Sequence, residues 1–365
     1  MSNLHFPRPE LAEQIIASLK AGIFSSFALI APRRKGKTAF ILLDLAPVAI
    51  KKGYFPLYIS LWQERNSPHL AICQALEDAI ASLNRKSALQ RLLGTKIRKA
   101  SINNEFLGKV EMEFADNPES AQSHELLKIE TLLNLLVDQL GKKQLLLLVD
   151  EVQHLATSTQ FDNVTHALRT SLDKRQGAIK AVFTGSSRHY MNQLFAKPKS
   201  PFYLFGESIP FPDLGEEFLN HLIKRLAIDY DIDVNYSALE KIWRALDKSP
   251  FWMMKVINRL ITADPNLKSA SAYVFELLTQ SEDYEALAKS LKPADVIVFL
   301  AIANNESPFG KDTFTKINKQ TTIKGNTGNV QRSIKRLLEK SLISQAEKGI
   351  YRIESPGLTS VLKRK

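Results

Sequence analysis

The sequence predicts an α/β fold: a five-stranded parallel phosphate-loop sheet, followed by an all-helical segment and a C-terminal winged helix-turn-helix. Three observations carry that prediction. Strand-like and helical patterns alternate through residues 1–213. One apolar run leads into A-P-R-R-K-G-K-T at residues 31–38, and another ends in the carboxylate pair Asp150 and Glu151.

The bulk properties exclude several classes of function. At 365 residues the chain is long enough for two or three domains, and 44% hydrophobic residues suffice for sizeable cores. No apolar run approaches the roughly 20 residues that cross a bilayer. The first ten residues, M-S-N-L-H-F-P-R-P-E, lack the apolar core of a secretory signal. A cytoplasmic location with no membrane partner is the expectation. The single cysteine, Cys73, rules out an internal disulfide and a cysteine-based zinc site, and its apolar helical setting predicts a buried thiol. The formal charge of +11 is uneven: from residue 290 onward 14 Lys and Arg stand against 6 Asp and Glu, so +8 of it lies in the tail. A polyanionic partner is expected there.

Residues 9–20 place Leu11, Ile15, Ile16 and Leu19 at helical spacing before the turn residue Gly22. Residues 25–31, S-S-F-A-L-I-A, have the composition of a strand buried on both faces. The loop follows, then a helix over 37–51, a break at Gly53 and a second strand over 55–62. Residues 68–93 read as helix. Residues 96–117 lose the pattern, and K-V-E-M-E-F alternates as an exposed strand or hairpin would, so this stretch is read as an insertion. A helix over 125–140 leads through Gly141 into the third strand, 144–151. A helix over 161–174 precedes a fourth strand, A-I-K-A-V-F-T-G-S-S-R, and after the aromatic loop S-P-F-Y-L-F-G a fifth strand ends near Phe211.

Residues 214–290 form a helical unit broken around 247–250, and residues 291–365 a third unit. In the latter, helices from Pro293, from Lys311 and over 330–340 precede two short strands, S-L-I-S-Q and I-Y-R-I-E. The third helix is read with Val330, Ile334, Leu337 and Leu338 inward, and with Asn329, Arg332, Ser333, Lys335 and Arg336 outward as a DNA-reading face. Winged helices also serve as protein-binding modules.

The loop and the carboxylates define a site. In a strand, G-x-x-x-x-G-K-S/T loop, helix arrangement, backbone N–H groups surround the phosphates, the lysine reaches the outer ones and the next hydroxyl binds Mg²⁺. Arg34, Lys35, Gly36, Lys37, Thr38 and Ala39 are the predicted loop contacts, with Ala31 where the pattern has its first glycine. Parallel sheets bind ligands at the carboxyl ends of their strands, which places Asp150 and Glu151 in the crevice of Lys37. Thr38 is expected to hold the metal directly and Asp150 through water, while Glu151 orients and deprotonates the water that attacks the γ-phosphate. Ser186, Ser187 and Arg188 close the neighbouring strand, either sensing the γ-phosphate or forming a surface turn. The seven histidines show no metal-ligand spacing.

Together these residues resemble P-loop ATPases of the AAA+ and STAND kind, in particular archaeal-type ATPases related to the Orc/Cdc6 initiators. F-P-R-P-E at residues 6–10 is similar to that group's F-x-G-R-x-x-E box, shortened by one residue, and P-R-R-K-G-K-T resembles its G-P-R-R-x-G-K-T loop. L-L-L-L-V-D-E-V-Q resembles its Walker B strand, F-T-G-S-S-R its sensor strand, S-P-F-Y the segment that follows, and K-S-P-F at 248–251 its G-x-P lid motif. The resemblance implies an ASCE-type core, with the catalytic-glutamate strand inserted between the phosphate-loop strand and its neighbour. It also implies ATP with Mg²⁺ between core and lid, and Pro250 near the base. Three positions depart from the pattern: Ala31, Ser249 in place of the lid glycine, and F-G-E at 205–207, which lacks an arginine often seen there. No arginine finger is assigned.

The expected function is an ATP-binding and hydrolysing switch, with Glu151, Lys37, Arg188 and Ser187 as its catalytic residues. Its nucleotide state would set the orientation of the lid and of a winged helix that binds double-stranded DNA. Two other readings stay open. One is a weakly hydrolysing scaffold whose winged helix holds a protein partner or a second copy. The other is an accessory ATPase of a mobile element or defence system.

Overall fold

Five apolar stretches pair into one parallel sheet, β1 Ser26–Ile30, β2 Tyr54–Ser60, β3 Gln144–Asp150, β4 Ile179–Gly185 and β5 Glu207–Pro210, in the order β2-β3-β4-β1-β5. The computed structural model describes residues 4–22, 24–93, 118–281, 284–340, 342–347, 349–354 and 356–363, and the predicted insertion at 96–117 lies outside them. β4 is buried along its whole length, and β3 along all but its first residue. Central parallel strands are covered on both faces, which is why their sequences run apolar instead of alternating. Pro56 and Pro210 fall on the two edge strands, where a missing N–H is tolerated.

The strand order corrects one expectation. The strand carrying Glu151 is not beside the phosphate-loop strand; β4 lies between them, pairing with β1 on one side and β3 on the other. β4 is buried at every position and takes the central place in the sheet, with two strands on either side. Its register sets Thr184 beside Leu29 and Phe183 beside Val149, so three strand ends meet at one edge of the sheet.

Helices cover both faces. One layer joins Cys73, Leu76, Leu132 and Leu136 to Leu145, Leu147 and Phe183. The other joins Ile15, Leu19, Phe40 and Leu45 to Leu146, Leu148 and Val182. The buried Cys73 is thus a packing residue. The first helix, Pro9–Ala21, buries Ala12, Ile15, Ile16 and Leu19 and ends at Gly22 with φ 76°. After the loop the predicted helix over 37–51 forms as Lys37–Ala39, a π-helical turn Phe40–Leu45 and Ala46–Lys51. Pro47 has no N–H and its ring crowds the turn before it, and that turn is the widened one. Widening turns Asp44 inward, where its carboxylate meets His5 at 2.7 Å.

The region read as strand end and aromatic loop contains an extra helix, Arg188–Phe195. Phe195, Phe202 and Phe205 pack around Phe183, with ring centroids 5.4–6.4 Å from it. The aromatic loop is therefore core.

The helical unit comprises Glu216–Tyr230, Tyr236–Ala245, Pro250–Thr262, Leu267–Ser281 and Tyr284–Ser290. Its break is a cap: the Ser249 hydroxyl accepts from Trp252 N at 3.4 Å. The tail holds Pro293–Ala303, Lys311–Gln320 and Thr327–Glu339, the antiparallel hairpin β6 Ile343–Glu347 and β7 Ile350–Ile353, and a last helix Pro356–Lys363 that the sequence reading missed. That helix packs against the helical unit through Gly357, where a Cβ would stand 2.4 Å from the Tyr284 ring and 2.7 Å from Leu278. One continuous core runs through both units, from Leu222, Trp243 and Met253 to Phe299, Leu337 and Leu358. Among the described residues, no helix is long and apolar enough to cross a membrane.

Two of the five side chains predicted to face outward do not. Ser333 is fully buried, because positions 330, 333 and 337 share the inward stripe of the helix. Arg336 lies against Asp295, a carboxylate only 2% exposed, donating through Nε at 3.0 Å. A buried carboxylate requires such a partner, and the bond also holds the guanidinium above its ordinary pKa.

The aromatic cluster generates a stability test. Phe183→Ala should lower the free energy of unfolding by about 3–5 kcal/mol in denaturant melts, since Phe183 is fully buried among three other rings. A loss under about 1 kcal/mol would contradict the packing described.

Candidate nucleotide site

The loop leaves the sheet at Ala31, whose N–H donates to the Gly185 carbonyl at 3.3 Å, continuing the β1–β4 ladder. Ala31 is buried in the second hydrophobic layer and does not take a positive φ. Alanine is accommodated there because the left-handed positions of the loop are Arg34, φ 67°, and Gly36, φ 88°. The Lys37 ammonium curls back over the loop, donating to the carbonyls of Ala31 at 2.6 Å and Pro32 at 2.8 Å. Burial lowers its pKa to about 8; Glu151, Asp150 and Glu354 pull upward and Arg33 adds to the depression. Thr38 and Ala39 begin the helix, exposed on the wall of a cavity.

At the end of β3, Asp150 is 3% exposed and accepts from four donors. Thr38 Oγ1 lies 2.7 Å away, Tyr58 Oη 3.1 Å and Glu151 N 3.1 Å, and the Thr184 hydroxyl supplies the fourth bond. The carboxylate and burial push the Tyr58 phenol up to about 12, burial contributing most, so it remains a donor. The predicted metal pair, Thr38 and Asp150, is therefore in direct contact.

Glu151 turns out of the strand with φ 58°, a conformation costing a non-glycine residue about 1 kcal/mol. Its carboxylate accepts from Ser186 Oγ at 2.9 Å and from the Gln153 amide. Gln153 also donates to Ser186 Oγ at 3.0 Å, closing a triangle. Gly185 is needed beside it: a Cβ there would lie 2.1 Å from Met191 Sδ and 2.9 Å from Gln153 Oε1.

The paired serines divide their roles. Ser186 is buried and holds Glu151, whereas Ser187, predicted as catalytic, caps the helix Arg188–Phe195 by accepting from Tyr190 N at 3.5 Å. Arg188 is the first residue of that helix and lines a second cavity with Gln153 and Ser186. Sequence reasoning did not assign Gln153, Tyr58 or Thr184. Thr184 had a signal, as a polar residue late in an apolar run, and Gln153 sat within the quoted carboxylate motif.

Two loop side chains reach the helical unit instead of the crevice. Lys35, predicted to contact nucleotide, is buried and pairs with Asp213 at 3.2 Å and Asp247 at 3.6 Å. Arg34 stacks 4.6 Å from the Trp252 ring centroid, while its carbonyl accepts from Ser249 Oγ at 3.1 Å. Pro250 Cγ sits 3.9 Å from where a Cβ on Gly36 would be. Loop and lid are thereby clamped together. Between them lies a cavity of about 810 Å³, with Gly36, Lys37, Thr38 and Glu151 at one end and Phe6, Phe218 and Phe251 at the other. A charged end and an aromatic end suit a phosphorylated aromatic ligand.

No protein-family profile matches the sequence, and no curated protein matches it. Solved structures do match. The chain is similar to a Walker-type ATPase of Pyrococcus abyssi, with TM-score 0.68 and 18% identity over 98% of this chain and 95% of that one. It is also similar to the ORC2 protein of Aeropyrum pernix in ADPNP–ADP complexes, with TM-score 0.56 and 14% identity over 97% and 91%. At such identities the likeness is one of fold. The chain has the α/β fold of these archaeal Walker-type and Orc-type proteins along nearly its whole length.

The division between the serines can be checked without any ligand. Ser187→Ala should cost about 0.5–2 kcal/mol in thermal or denaturant unfolding, the value of a lost N-cap. Unchanged stability would remove the capping role.

Proposed function

We propose that this chain binds ATP with Mg²⁺, hydrolyses it slowly, and lets the bound nucleotide set how the helical lid and the tail sit on the core. The observation that carries this reading is the meeting of Thr38, Asp150 and Glu151 at the Lys37 loop. The hydroxyl of Thr38 and the carboxylate of Asp150, 2.7 Å apart, form an oxygen pair suited to a small hard cation that keeps its water and phosphate ligands. Bound there, Mg²⁺ would neutralise phosphate charge. Lys37 would exchange the carbonyls of Ala31 and Pro32 for phosphate oxygens. The loop N–H groups and the N-terminus of the helix from Lys37 would hold the inner phosphates.

Glu151 is the group placed to take a proton from the attacking water, and Ser186 and Gln153 hold its carboxylate in place. Both bonds go to one carboxylate oxygen, Oε2. Arg188, next to Ser186, would face the outer phosphate. Pro250 and the aromatic end of the cavity would take the base. The likeness to archaeal ATPases, one seen in nucleotide complexes, supports this reading.

The tail is read as a winged helix on double-stranded DNA. Lys319, Lys324, Arg332 and Lys335 are exposed on its second and third helices and the turn between them. Ser333 is buried, Arg336 is committed to Asp295, and Asn329 donates to the Lys324 carbonyl at 2.7 Å, so the face offers cations for phosphates more than groups for base edges. Binding should therefore be salt-dependent and only weakly sequence-selective. The lid clamp through Lys35, Arg34 and Ser249 would transmit nucleotide state to this tail. A cytoplasmic setting fits such a function.

Two experiments test these readings. Lys37→Ala should abolish nucleotide binding, and Glu151→Gln should keep binding while slowing phosphate release by about 10²–10⁴-fold; release at the parent rate in both variants would end the ATPase reading. For the tail, Arg332→Ala with Lys335→Ala should weaken duplex binding and flatten its dependence on log salt by about two. No duplex binding by the parent even at low salt would favour a protein partner.

A further inference from the structure

The turn that follows β2 is tied at both ends to the segment carrying Glu151. Leu61 N donates to the Asp150 carbonyl at 3.2 Å, and His154 Nε2 donates to the Arg65 carbonyl at 2.6 Å. Trp62, between these anchors, therefore stands beside the turn of Glu151. The phosphate loop meets it there: the Arg33 guanidinium lies over the Trp62 ring, 4.5 Å from its centroid, and that of Arg65 lies 4.3 Å from the same centroid.

Arg33 differs from the two loop cations that follow it. Arg34 is stacked on Trp252, and Lys35 is paired with Asp213 and Asp247, so both serve the contact with the lid. Among the described residues Arg33 makes no hydrogen bond and no ion pair, and its contact is the Trp62 ring. A guanidinium on an aromatic face keeps its N–H edge available, and its planar fork is already shaped for two phosphate oxygens. Arg33 and Trp62 line the 810 Å³ cavity together with Lys37, Thr38 and Glu151. They also line a second cavity, of about 540 Å³, whose wall carries Gln153 and Ser186, the two groups that hold Glu151. The stacked pair thus belongs to both walls around the candidate base.

Resting on the nucleotide reading above, we infer that Arg33 is a catalytic residue supplied by the loop itself: its guanidinium contacts the outermost phosphate during transfer, and Trp62 is the positioning residue that holds it beside Glu151. In the step it serves, the water oxygen bonds to the γ-phosphorus while the bond from that phosphorus to the β–γ bridging oxygen breaks. The water proton goes to Glu151, and ADP leaves with the electron pair of the broken bond. Charge spreads over the oxygens of the group in transit, and a forked cation already in place stabilises it without reorganisation. No second copy of the chain is needed to supply that charge.

The test uses the full-length chain with ATP and Mg²⁺. Arg33→Ala should lower kcat by about 10²–10³-fold and leave KM close to the parent value, the split expected of a contact made in the transition state. Arg33→Lys should not restore the rate, because an ammonium lacks the planar fork. Trp62→Leu should lower kcat by about three- to tenfold, and Trp62→Phe, which keeps an aromatic face, by less. A binding measurement separates catalysis from folding: with Mg²⁺ and aluminium fluoride the parent should trap ADP through gel filtration, whereas Arg33→Ala should bind ADP as the parent does and fail to trap it. Parental kcat in Arg33→Ala, or a loss of ADP affinity as large as the loss of rate, would overturn the inference and leave the ATPase reading standing. Nucleotide binding without hydrolysis by the parent would overturn both. Turnover per chain should also stay constant on dilution; a rise with protein concentration would mean that a second copy supplies the cation, and would overturn the inference.

Discussion

The carboxylate of Asp150 is the interaction on which the rest of the site depends. At 3% exposure it would be costly to bury without partners, and it has four, from the loop helix, β2, β4 and its own next residue. Each donor comes from a different stretch of chain, so satisfying one charge holds four segments together. The turn that lets Glu151 N reach Asp150 also sends the Glu151 side chain toward Ser186 and Gln153. The Thr38 hydroxyl and the Glu151 carboxylate are therefore positioned by one buried acceptor.

The second constraint is the contact between the loop and the lid. Arg34 takes a positive φ unusual for its residue type, and the stacking of its guanidinium on Trp252 with the Ser249 bond to its carbonyl offsets that strain. Lys35 adds a buried cation shared by Asp213 and Asp247. Phosphate loop and lid are thus one mechanical unit. Because lid and tail share a continuous hydrophobic core, a change at the loop has a path of packed side chains to the tail.

Much of this was legible in the sequence. Buried strands announce themselves as short apolar runs, and Lys37, Thr38, Asp150 and Glu151 stand in a pattern with few other uses. The misreadings have specific causes. Ser186 and Ser187 are adjacent and chemically identical, and only the strand-to-helix turn decides which reaches Glu151 and which caps a helix. Ser333 looked outward because serine is polar, yet it lies on the inward stripe. Arg336 looked available because its acid, Asp295, is 41 residues away. The helix Arg188–Phe195 is short and runs into an aromatic segment whose residues pack beneath the sheet.

By itself the sequence determined what local patterns encode: which stretches are strand or helix, where the loop and carboxylates fall, and that the tail is basic. The tertiary structure alone decided the strand order, with β4 between the loop strand and the carboxylate strand, and hence which side chains meet. The physical reason is that a buried polar group is completed by whichever partners the chain ends bring near. Those of Asp150 come from positions 38, 58 and 184, those of Lys35 from 213 and 247, and that of Asp295 from 336. No periodicity links such positions, and only the packing of sheet, lid and tail makes them neighbours.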